Sequence, residues 1–341
     1  NKKNLIPSGH LVLTEQMLIQ KSNTNQVISK SSKAIKAETN NGLLEIFNEN
    51  LKLVFNTSSG EMNSYVVYEN EYINKAPYLN FWRAPIDNDY GNGLPERSND
   101  WKIASSNRVL KSFNHEFVDN NVKVTVQYVL PNIQSFYTTT FLINSEGEIK
   151  ISNDFQYRGY LKDAQIPRFG MNIQIPKDYN NVSWYGRGPH ENYIDRTDSA
   201  FMGIYNSSVR ELGFDYSRPQ ENGYRTETKW LEMKNKNGIG IKIFGDPYIS
   251  FSAHYNTIED FDDGVRKKEP GEKRSARNRM VKKQRKPVDI EERDFISLNI
   301  DLKQMGVGGD NSWGARPLPK YLIQPGNYKY SFVIKPISNL K

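Results

Sequence analysis

Hydrophobic and polar residues alternate with a period of two along much of the chain. In the clearest case, residues 122–130, the side chains of Val122, Val124, Val126 and Tyr128 fall on one face of an extended chain and polar side chains fall on the other. This alternation predicts a β-strand with one buried face. The same pattern predicts further strands at 149–151, 239–243, 249–251, 296–300 and 328–334.

Turn-forming residues separate the predicted strands at 56–60, 144–147, 235–240 and 325–327, and each of these segments contains both Asn and Gly. Short connections favour antiparallel neighbours in a sheet. No long segment has apolar residues at the i, i+3, i+4 and i+7 positions of a helix, and strands do not alternate with helices as a (β/α)₈ barrel requires. We therefore predict an all-β fold, a large antiparallel β-sandwich with two broad stacked sheets.

We predict that this sandwich spans residues 37–341, because residues 1–36 have a different character. Leu11 and Leu13 lie in a short strand-like piece, and a Ser- and Asn-rich run follows at 21–33. Such a polar composition is typical of a linker. The first residue, Asn1, is not a methionine, so we expect the chain to begin inside a longer polypeptide. Residues 1–36 are then expected to be the tail of a preceding domain and its linker.

The composition excludes several classes of site. The chain has no cysteine, so disulfides, thiolate metal sites and a cysteine nucleophile are excluded. Its four histidines are scattered without metal-ligand spacing, and we assign no metal. Its 20 Tyr, 16 Phe and 5 Trp suit β-sheets and sugar-facing surfaces. No apolar run approaches the roughly 18 residues that span a bilayer, so no membrane partner is expected. A chain without cysteine fits the cytoplasm and the periplasm alike, so the compartment stays open.

The net charge of +7 comes from one short run. Residues 266–286 hold eleven basic residues and two glutamates, a net of +9, which leaves −2 for the rest of the chain. No basic stripe covers the surface, so nucleic acid is not an expected partner. We predict that the run is a solvated excursion between two strands, with contact to an anionic partner as the alternative. The sequence does not decide whether the run is ordered.

The first segment with possible chemistry, residues 83–91, places Asp87 and Asp89 two positions apart beside Arg83. Two neighbouring carboxylates could act in general acid/base catalysis. The same residues also suit a tight loop, in which Asx side chains bond backbone amides and the arginine neutralises a carboxylate. We favour the structural interpretation.

The second segment, residues 184–196, concentrates polar side chains behind two glycines. Gly188 permits a close backbone approach, and His190, Glu191, Asp195 and Arg196 follow within a few positions. The segment matches neither of the glycine-rich motifs that cradle phosphates. Its residues are equally compatible with a buried loop network and with a functional loop.

The third segment, residues 218–225, contains the dipeptide Asn-Gly, which marks a tight turn. Within it Glu221 has Arg218 and Arg225 as candidate ion-pair partners. Taken alone, this segment predicts a turn and no chemistry.

The fourth segment, residues 305–314, has three glycines in four positions and ends near an aromatic residue. Asp310, Asn311 and Trp313 lie together at its end. The face of a tryptophan packs on the C–H face of a pyranose while polar neighbours bond the hydroxyls, so this is a candidate sugar platform. A buried core tryptophan is the alternative.

In this order the four segments resemble the small-chain, or fifth, domain of the LacZ-type β-galactosidases of glycoside hydrolase family 2. The resemblance covers nearly the whole chain, and the opening IPSGHLVLTEQ resembles the last strand of the immunoglobulin-like linker domain that precedes it in the family. It implies a galactose-mutarotase-like supersandwich fold. The motifs that carry it are FWRAPIDNDYG, WYGRGPHENYIDR, RPQENGYR, NIDLKQMGVGGDNSW and PGNYKYSFVI.

The resemblance implies a retaining reaction run by two glutamates on a separate central barrel. Both are expected upstream, so no catalytic residue is assigned here and the chain alone is expected to be inactive. Trp313 matches a tryptophan that stacks on the sugar in the neighbouring active site, with Asp310 and Asn311 beside it. Residues 188–196 match a loop at the mouth of that site.

The resemblance also implies partners and cofactors. The partners are the catalytic barrel of the same polypeptide and a β-galactoside, and the parent enzyme is expected to be a homo-oligomer. The family's magnesium and sodium sites lie mainly on the missing barrel, so no cofactor is assigned to this chain. One departure is the stretch between Asp263 and Asp294, which is longer and more basic than the hairpin expected there.

Two other functions stay open at this point. A freestanding mutarotase-like enzyme would need His190 as acid and Glu191 or Asp195 as base, but adjacent residues of one strand point to opposite faces. A carbohydrate-binding module would make Trp313 sufficient for affinity without a partner domain, whereas one wall of a composite site would bind sugar only weakly by itself.

Overall fold

The computed structural model describes residues 14–19, 28–30, 33–161, 165–264, 283, 285–311 and 314–338. In this part of the chain the regular structure is dominated by strands, and no helix exceeds six residues. The strands are β1 Lys36–Asn40, β2 Leu43–Phe47, β3 Leu51–Asn56, β4 Met62–Val67, β5 Asn70–Glu71, β6 Lys75–Asn80, β7 Val109–Val118, β8 Asn121–Leu130, β9 Ser135–Ile143, β10 Ile149–Gln156, β11 Arg168–Pro176, β12 Asn181–Gly188, β13 Phe201–Ser208, β14 Arg225–Lys234, β15 Gly240–His254, β16 Phe295–Gln304 and β17 Tyr328–Ile337. The helices are α1 Asp87–Asn92, α2 Leu94–Arg97, α3 Asn99–Ala104, α4 Val209–Leu212 and α5 Ile258–Phe261.

A small sheet contains β1 to β5 in chain order, and every neighbouring pair is antiparallel. Its first hairpin closes through Asn41 and Gly42, whose φ angles are +49° and +77°. Two residues with positive φ match the right-handed twist of the flanking strands, which is why Asn-Gly is favoured in such turns. The hairpin therefore follows directly from a local sequence signal.

The large sheet has twelve strands and branches at β15. Its main path runs β13-β12-β14-β15-β17-β10-β9-β8-β7. Residues 240–246 of β15 pair with β17, whereas residues 250–254 pair with β16. From β16 the second branch continues through β11 to β6, and all these pairs are antiparallel. The long strand β15 thus belongs to both branches.

The two branches face each other across the core. Phe155 on β10 and Phe169 on β11 lie with ring centroids 5.5 Å apart. The small sheet packs on the same buried face, where Phe55 of β3 meets Phe141 of β9 at 5.3 Å. Closely spaced aromatic rings of this kind bury large apolar areas between layers. The predicted all-β antiparallel sandwich is confirmed.

The alternating segments form strands as predicted. On β8 the residues at even positions from Val122 to Leu130 are buried, and their neighbours are partly exposed. The predicted strands at 239–243 and 249–251, read as separate segments, are one continuous strand, β15. Three of the four predicted turns begin with Asx motifs: the side-chain oxygens of Asn56, Asn144 and Asn235 accept nearby backbone amides.

Of the basic run, the structure describes residues 283, 285 and 286. Residues 265–282 and 284 lie outside the described residues, and the predicted solvated excursion stays a prediction. At its end Arg285 donates through Nε to the buried Asp263, at 2.9 Å. Among the described residues, no helix has the length and hydropathy needed to cross a bilayer.

Candidate functional site

The four segments singled out from the sequence meet at one edge of the large sheet. The antiparallel register places the ends of β6, β12 and β16 beside the starts of β11 and β14. Segment 83–91 follows β6, segment 184–196 ends β12, segment 218–225 leads into β14, and segment 305–314 follows β16. Residues far apart in sequence are therefore collected into one cluster.

Asp195 joins the second segment to the fourth. Its carboxylate accepts the backbone N–H of Val307 at 3.2 Å and that of Gly308 at 2.8 Å. A Cβ at Gly306 would overlap the Asp195 carboxylate, so only glycine allows this close approach. The aspartate thus fixes the course of the chain where it leaves β16.

The first segment runs into helix α1, so the tight loop expected at residues 87–91 is a short helix, and its two carboxylates are bound to arginines. Arg83 is fully buried and donates through Nη2 to Asp89 at 2.9 Å and to the carbonyl of Gly306 at 3.3 Å. Burial raises the pKa of Asp89, and the neighbouring Arg83 opposes that rise. Asp87 forms its ion pair elsewhere, with Arg218. The two carboxylates therefore have separate arginine partners, as the structural interpretation expected.

Asn88 of α1 links the first segment to the far end of the fourth segment. Its amide Nδ2 donates to the carbonyl of Asn311 at 2.9 Å, and its Oδ1 accepts the N–H of Gly314 at 3.3 Å. Asn88 is itself buried. Its side chain therefore bonds to the main chain at both Asn311 and Gly314.

The second segment is a loop network after β12. Glu191 accepts the hydroxyl of Tyr216 and the backbone N–H of Gly223, the latter at 2.7 Å, and Arg196 lies 3.7 Å away. His190 is exposed, with Nε2 3.0 Å from the hydroxyl of Ser199. Since β12 ends at Gly188, the expectation that His190 and Glu191 share a strand was wrong. Their side-chain directions follow from the loop instead.

Glu221 has a different partner from the two arginines suggested by the sequence. Its carboxylate pairs with the buried Arg168 at the start of β11, at 2.9 Å. Arg218 pairs with Asp87, and Arg225 donates to backbone carbonyls, including those of Leu212 and Gly223. The local pairing predicted from the sequence was wrong, because the turn directs Glu221 inward while its neighbours bind other groups.

Arg168 is the centre of a buried charge network that the sequence reasoning missed. Besides Glu221, it faces Asp301 of β16, with Nε 3.2 Å from Oδ2, and it donates to Gln304 at 2.9 Å. Arg168 and Asp301 are both completely buried. Burial raises the pKa of Asp301 to about 7, although Arg168 opposes the rise. The available signal was a charged residue in each of two otherwise largely apolar strands, Arg168 at the start of β11 and Asp301 within β16.

The network continues into two stacked tyrosines. The rings of Tyr193 and Tyr224 lie 5.6 Å apart and nearly parallel, at 16°, and the guanidinium of Arg168 sits 5.5 Å from the Tyr224 ring. Burial raises the pKa of both hydroxyls well above their usual value. Because Tyr193 belongs to the loop that carries Glu191, this stack connects the surroundings of Arg168 to that loop.

Two of the three predicted sugar-contacting residues lie at the surface of this cluster. Asp310 and Asn311 are exposed, and the Oδ1 of Asn311 accepts the N–H of Ala315 at 3.3 Å. Trp313 lies outside the described residues, so its predicted platform role stays a prediction. Within the described ranges, no group of three or more His, Asp or Glu side chains is arranged to hold a metal ion.

Comparison with known proteins identifies the family. The family model described as "Beta galactosidase small chain" matches residues 47–334. A β-galactosidase of Priestia megaterium is 29% identical over 332 residues, which are 97% of this chain and 30% of that protein. One of Streptococcus thermophilus is 27% identical over 335 residues, with the same two coverages.

The chain thus spans about 30% of the length of the relatives that it matches. Among solved structures, a galactose 1-epimerase of Lactobacillus acidophilus is similar with a TM-score of 0.49 and 10% identity, covering 89% of this chain and 98% of that one. The family match extends from β2 to β17 and includes all four segments of the cluster. The chain belongs to the β-galactosidase small-chain family.

Proposed function

We propose that this chain is the non-catalytic small-chain domain of a retaining β-galactosidase. In that enzyme it completes the sugar site of a catalytic barrel carried upstream on the same polypeptide, which hydrolyses terminal β-D-galactosides. Family membership and the 30% share of the relatives' length support this assignment. Residues 1–36 then correspond to the end of the preceding domain and its linker.

The observation that carries the proposal is the interlocking of all four family motifs at one edge of the sheet. Asp195 binds the amides of Val307 and Gly308, and Asn88 binds Asn311 and Gly314. A braced, exposed loop is what a domain needs in order to offer one wall of a composite site. The substrate-contacting residues are Trp313, Asn311 and Asp310, and the site-bordering residues are Gly188, His190, Glu191, Asp195 and Arg196.

The state of the carboxylates in the cluster supports a binding role. A retaining glycosidase needs two carboxyl groups about 5 Å apart on either side of the bond to be cut, free to act as nucleophile and acid/base. In the cluster Asp89 and Glu221 are paired with buried arginines, and Asp195 accepts two backbone amides. These three carboxylates have structural partners, which supports placing the reacting carboxylates on another domain.

The test is hydrolysis of a chromogenic β-galactoside by this chain and by the full-length polypeptide. The chain alone should show no turnover. In the full-length enzyme, Trp313→Ala should lower kcat/KM about tenfold, which corresponds to about 1.4 kcal/mol of stacking. Trp230→Ala on β14, where the side chain is partly buried, serves as the matched control. Turnover by the chain alone, or a full-length Trp313→Ala enzyme with normal kinetics, would refute the proposal.

A further inference from the structure

A cavity of about 320 Å³ opens beside the third segment. It lies between α4 and the loop after it, the end of β15, α5 and residues 287–292. Small-molecule sites in proteins have volumes of roughly 300–1,000 Å³, so the cavity has room for a small ligand. The described residues that line it include neither Asp310 nor Asn311. What it binds is therefore a separate question from the predicted sugar platform.

His254, at the end of β15, offers a hydrogen-bond acceptor to this cavity. Its Nε2 lies 3.0 Å from the carbonyl oxygen of Asn222, and since a carbonyl oxygen only accepts, Nε2 carries a proton. Burial lowers the pKa of His254 to about 4, so the ring is neutral at pH 7 and Nδ1 keeps its lone pair. Nδ1 lies beside Gly213, another residue of the lining, where an added Cβ would be 3.5 Å from it. A hydroxyl group of a ligand is a suitable donor to this nitrogen.

Phe214 offers an aromatic face at the rim of the cavity. The residue is 62% exposed, yet its main chain is fixed. Its N–H donates to the Oδ1 of Asn222 at 3.0 Å, and its carbonyl accepts the N–H of Tyr216 at 3.0 Å. The rings of Phe214 and Tyr216 lie 4.7 Å apart. An anchored aromatic side chain supplies contact area to a ligand at little cost in conformational entropy.

The charged side chains of the lining balance each other. The described residues that line the cavity include two arginines and two acids: Arg210, Arg218, Asp215 and Glu292. Arg210 of α4 forms an ion pair with Glu292, which joins two sides of the rim. With a formal charge of zero, the lining favours neither an anion nor a cation.

We propose that this cavity binds a neutral sugar ring, with Phe214 stacked on its C–H face and Nδ1 of His254 accepting one of its hydroxyls. The class of ligand follows from the lining. An aromatic ring packs on the C–H face of a pyranose, and a neutral imidazole nitrogen accepts from a hydroxyl. The inference goes beyond the proposed function, because it requires neither the catalytic barrel nor the predicted contacts at 310, 311 and 313.

The experiment titrates this chain, labelled with ¹⁵N in its histidine rings, with D-galactose and follows the ring nitrogens by NMR. The Nδ1 resonance of His254 should shift as the nitrogen accepts a hydroxyl, with a dissociation constant of about 1 mM, as expected for a ligand of this size. His115, exposed on β7, should not shift and serves as the internal control. D-galacturonate, which carries a carboxylate, should bind no more tightly than D-galactose.

Substitutions at the rim test the stacking contact. Phe214→Ala should weaken the binding of D-galactose about five- to tenfold at an unchanged thermal unfolding midpoint, because the ring that it removes is mostly exposed. Phe214→Trp should keep the affinity within about twofold, since it retains an aromatic face. Phe117→Ala removes a ring of similar exposure, 56%, on β7, and this matched control should bind as the wild type does.

The absence of a His254 shift, or wild-type affinity in Phe214→Ala, would overturn the proposal. Affinity that is lost in Trp313→Ala and kept in Phe214→Ala would belong to the predicted platform and would also overturn it. Binding of D-galacturonate about tenfold tighter than that of D-galactose would make the cavity an anion site instead. If the His254 shift is absent while Trp313→Ala lowers turnover by the full-length enzyme, the proposed function stands and only the cavity proposal fails.

Discussion

Asp301 makes the stability of this domain depend on pH in an unusual direction. The carboxylate lies fully buried on β16, facing Arg168, Glu221 and Tyr224. Burial raises its pKa from the ordinary 3.8 to about 7. Between these two values the unfolded chain has released the proton while the folded chain retains it. Stability therefore falls as the pH rises through this window and is constant above it.

The size of the effect follows from the shift of about 3 pKa units. One unit corresponds to about 1.4 kcal/mol, so the whole window is worth about 4 kcal/mol. The range from pH 5 to pH 7 is worth about 2 kcal/mol, because at pH 7 the folded-state carboxyl is already half ionised. Asp301→Asn removes the titrating group and keeps the shape of the side chain. The free energy of unfolding of the variant minus that of the wild type should therefore rise by about 2 kcal/mol from pH 5 to pH 7.

The measurement is urea-induced unfolding of both proteins at pH 5, 6, 7 and 8, followed by tryptophan fluorescence. Taking the difference at each pH cancels the contributions of groups that titrate alike in both proteins. Asp178→Asn, which changes an exposed aspartate, controls for the loss of one negative charge. A difference between Asp301→Asn and wild type that stays flat within about 0.5 kcal/mol, or that falls with pH, would show that the buried carboxylate is ionised throughout.

Two further predictions concern the fold. Trp101→Ala removes a fully buried ring that contacts Phe81 at 5.7 Å, and it should lower the free energy of unfolding by about 3–5 kcal/mol in urea titrations. Trp101→Phe should cost less, and an alanine variant within 1 kcal/mol of wild type would contradict this packing. Asn41→Ala should cost about 1 kcal/mol, because its φ of +49° is unfavourable for alanine. Asn41→Gly should not, and faster amide exchange in β1 and β2 of the alanine variant would locate the loss.

The sequence predicted most of the fold because strand signals are local. The alternation at 122–130 reports directly which side chains of β8 face the core. The Asx turns at Asn56, Asn144 and Asn235 bond amides only two to four residues away. It did not predict that 239–243 and 249–251 form one strand, since the switch of β15 from β17 to β16 is decided by its neighbours.

The site was predictable as a set of segments and only partly as a set of contacts. The ordered motifs identified which residues belong together, and the family match covers them. The sugar contacts of Trp313, Asn311 and Asp310 stay predictions. Sequence proximity suggested Arg218 and Arg225 as partners of Glu221, whereas the structure pairs Glu221 with the distant Arg168.

By itself, then, the sequence determined the all-β class, the buried face of each clear strand, the turns and the family. Only the tertiary structure decided the pairings, because strand register brings together residues that the chain separates widely. Arg168 meets Glu221 across 53 positions, and Asp195 meets the amide of Gly308 across 113. A buried charge must find its partner wherever the fold places one, and no local pattern encodes that position.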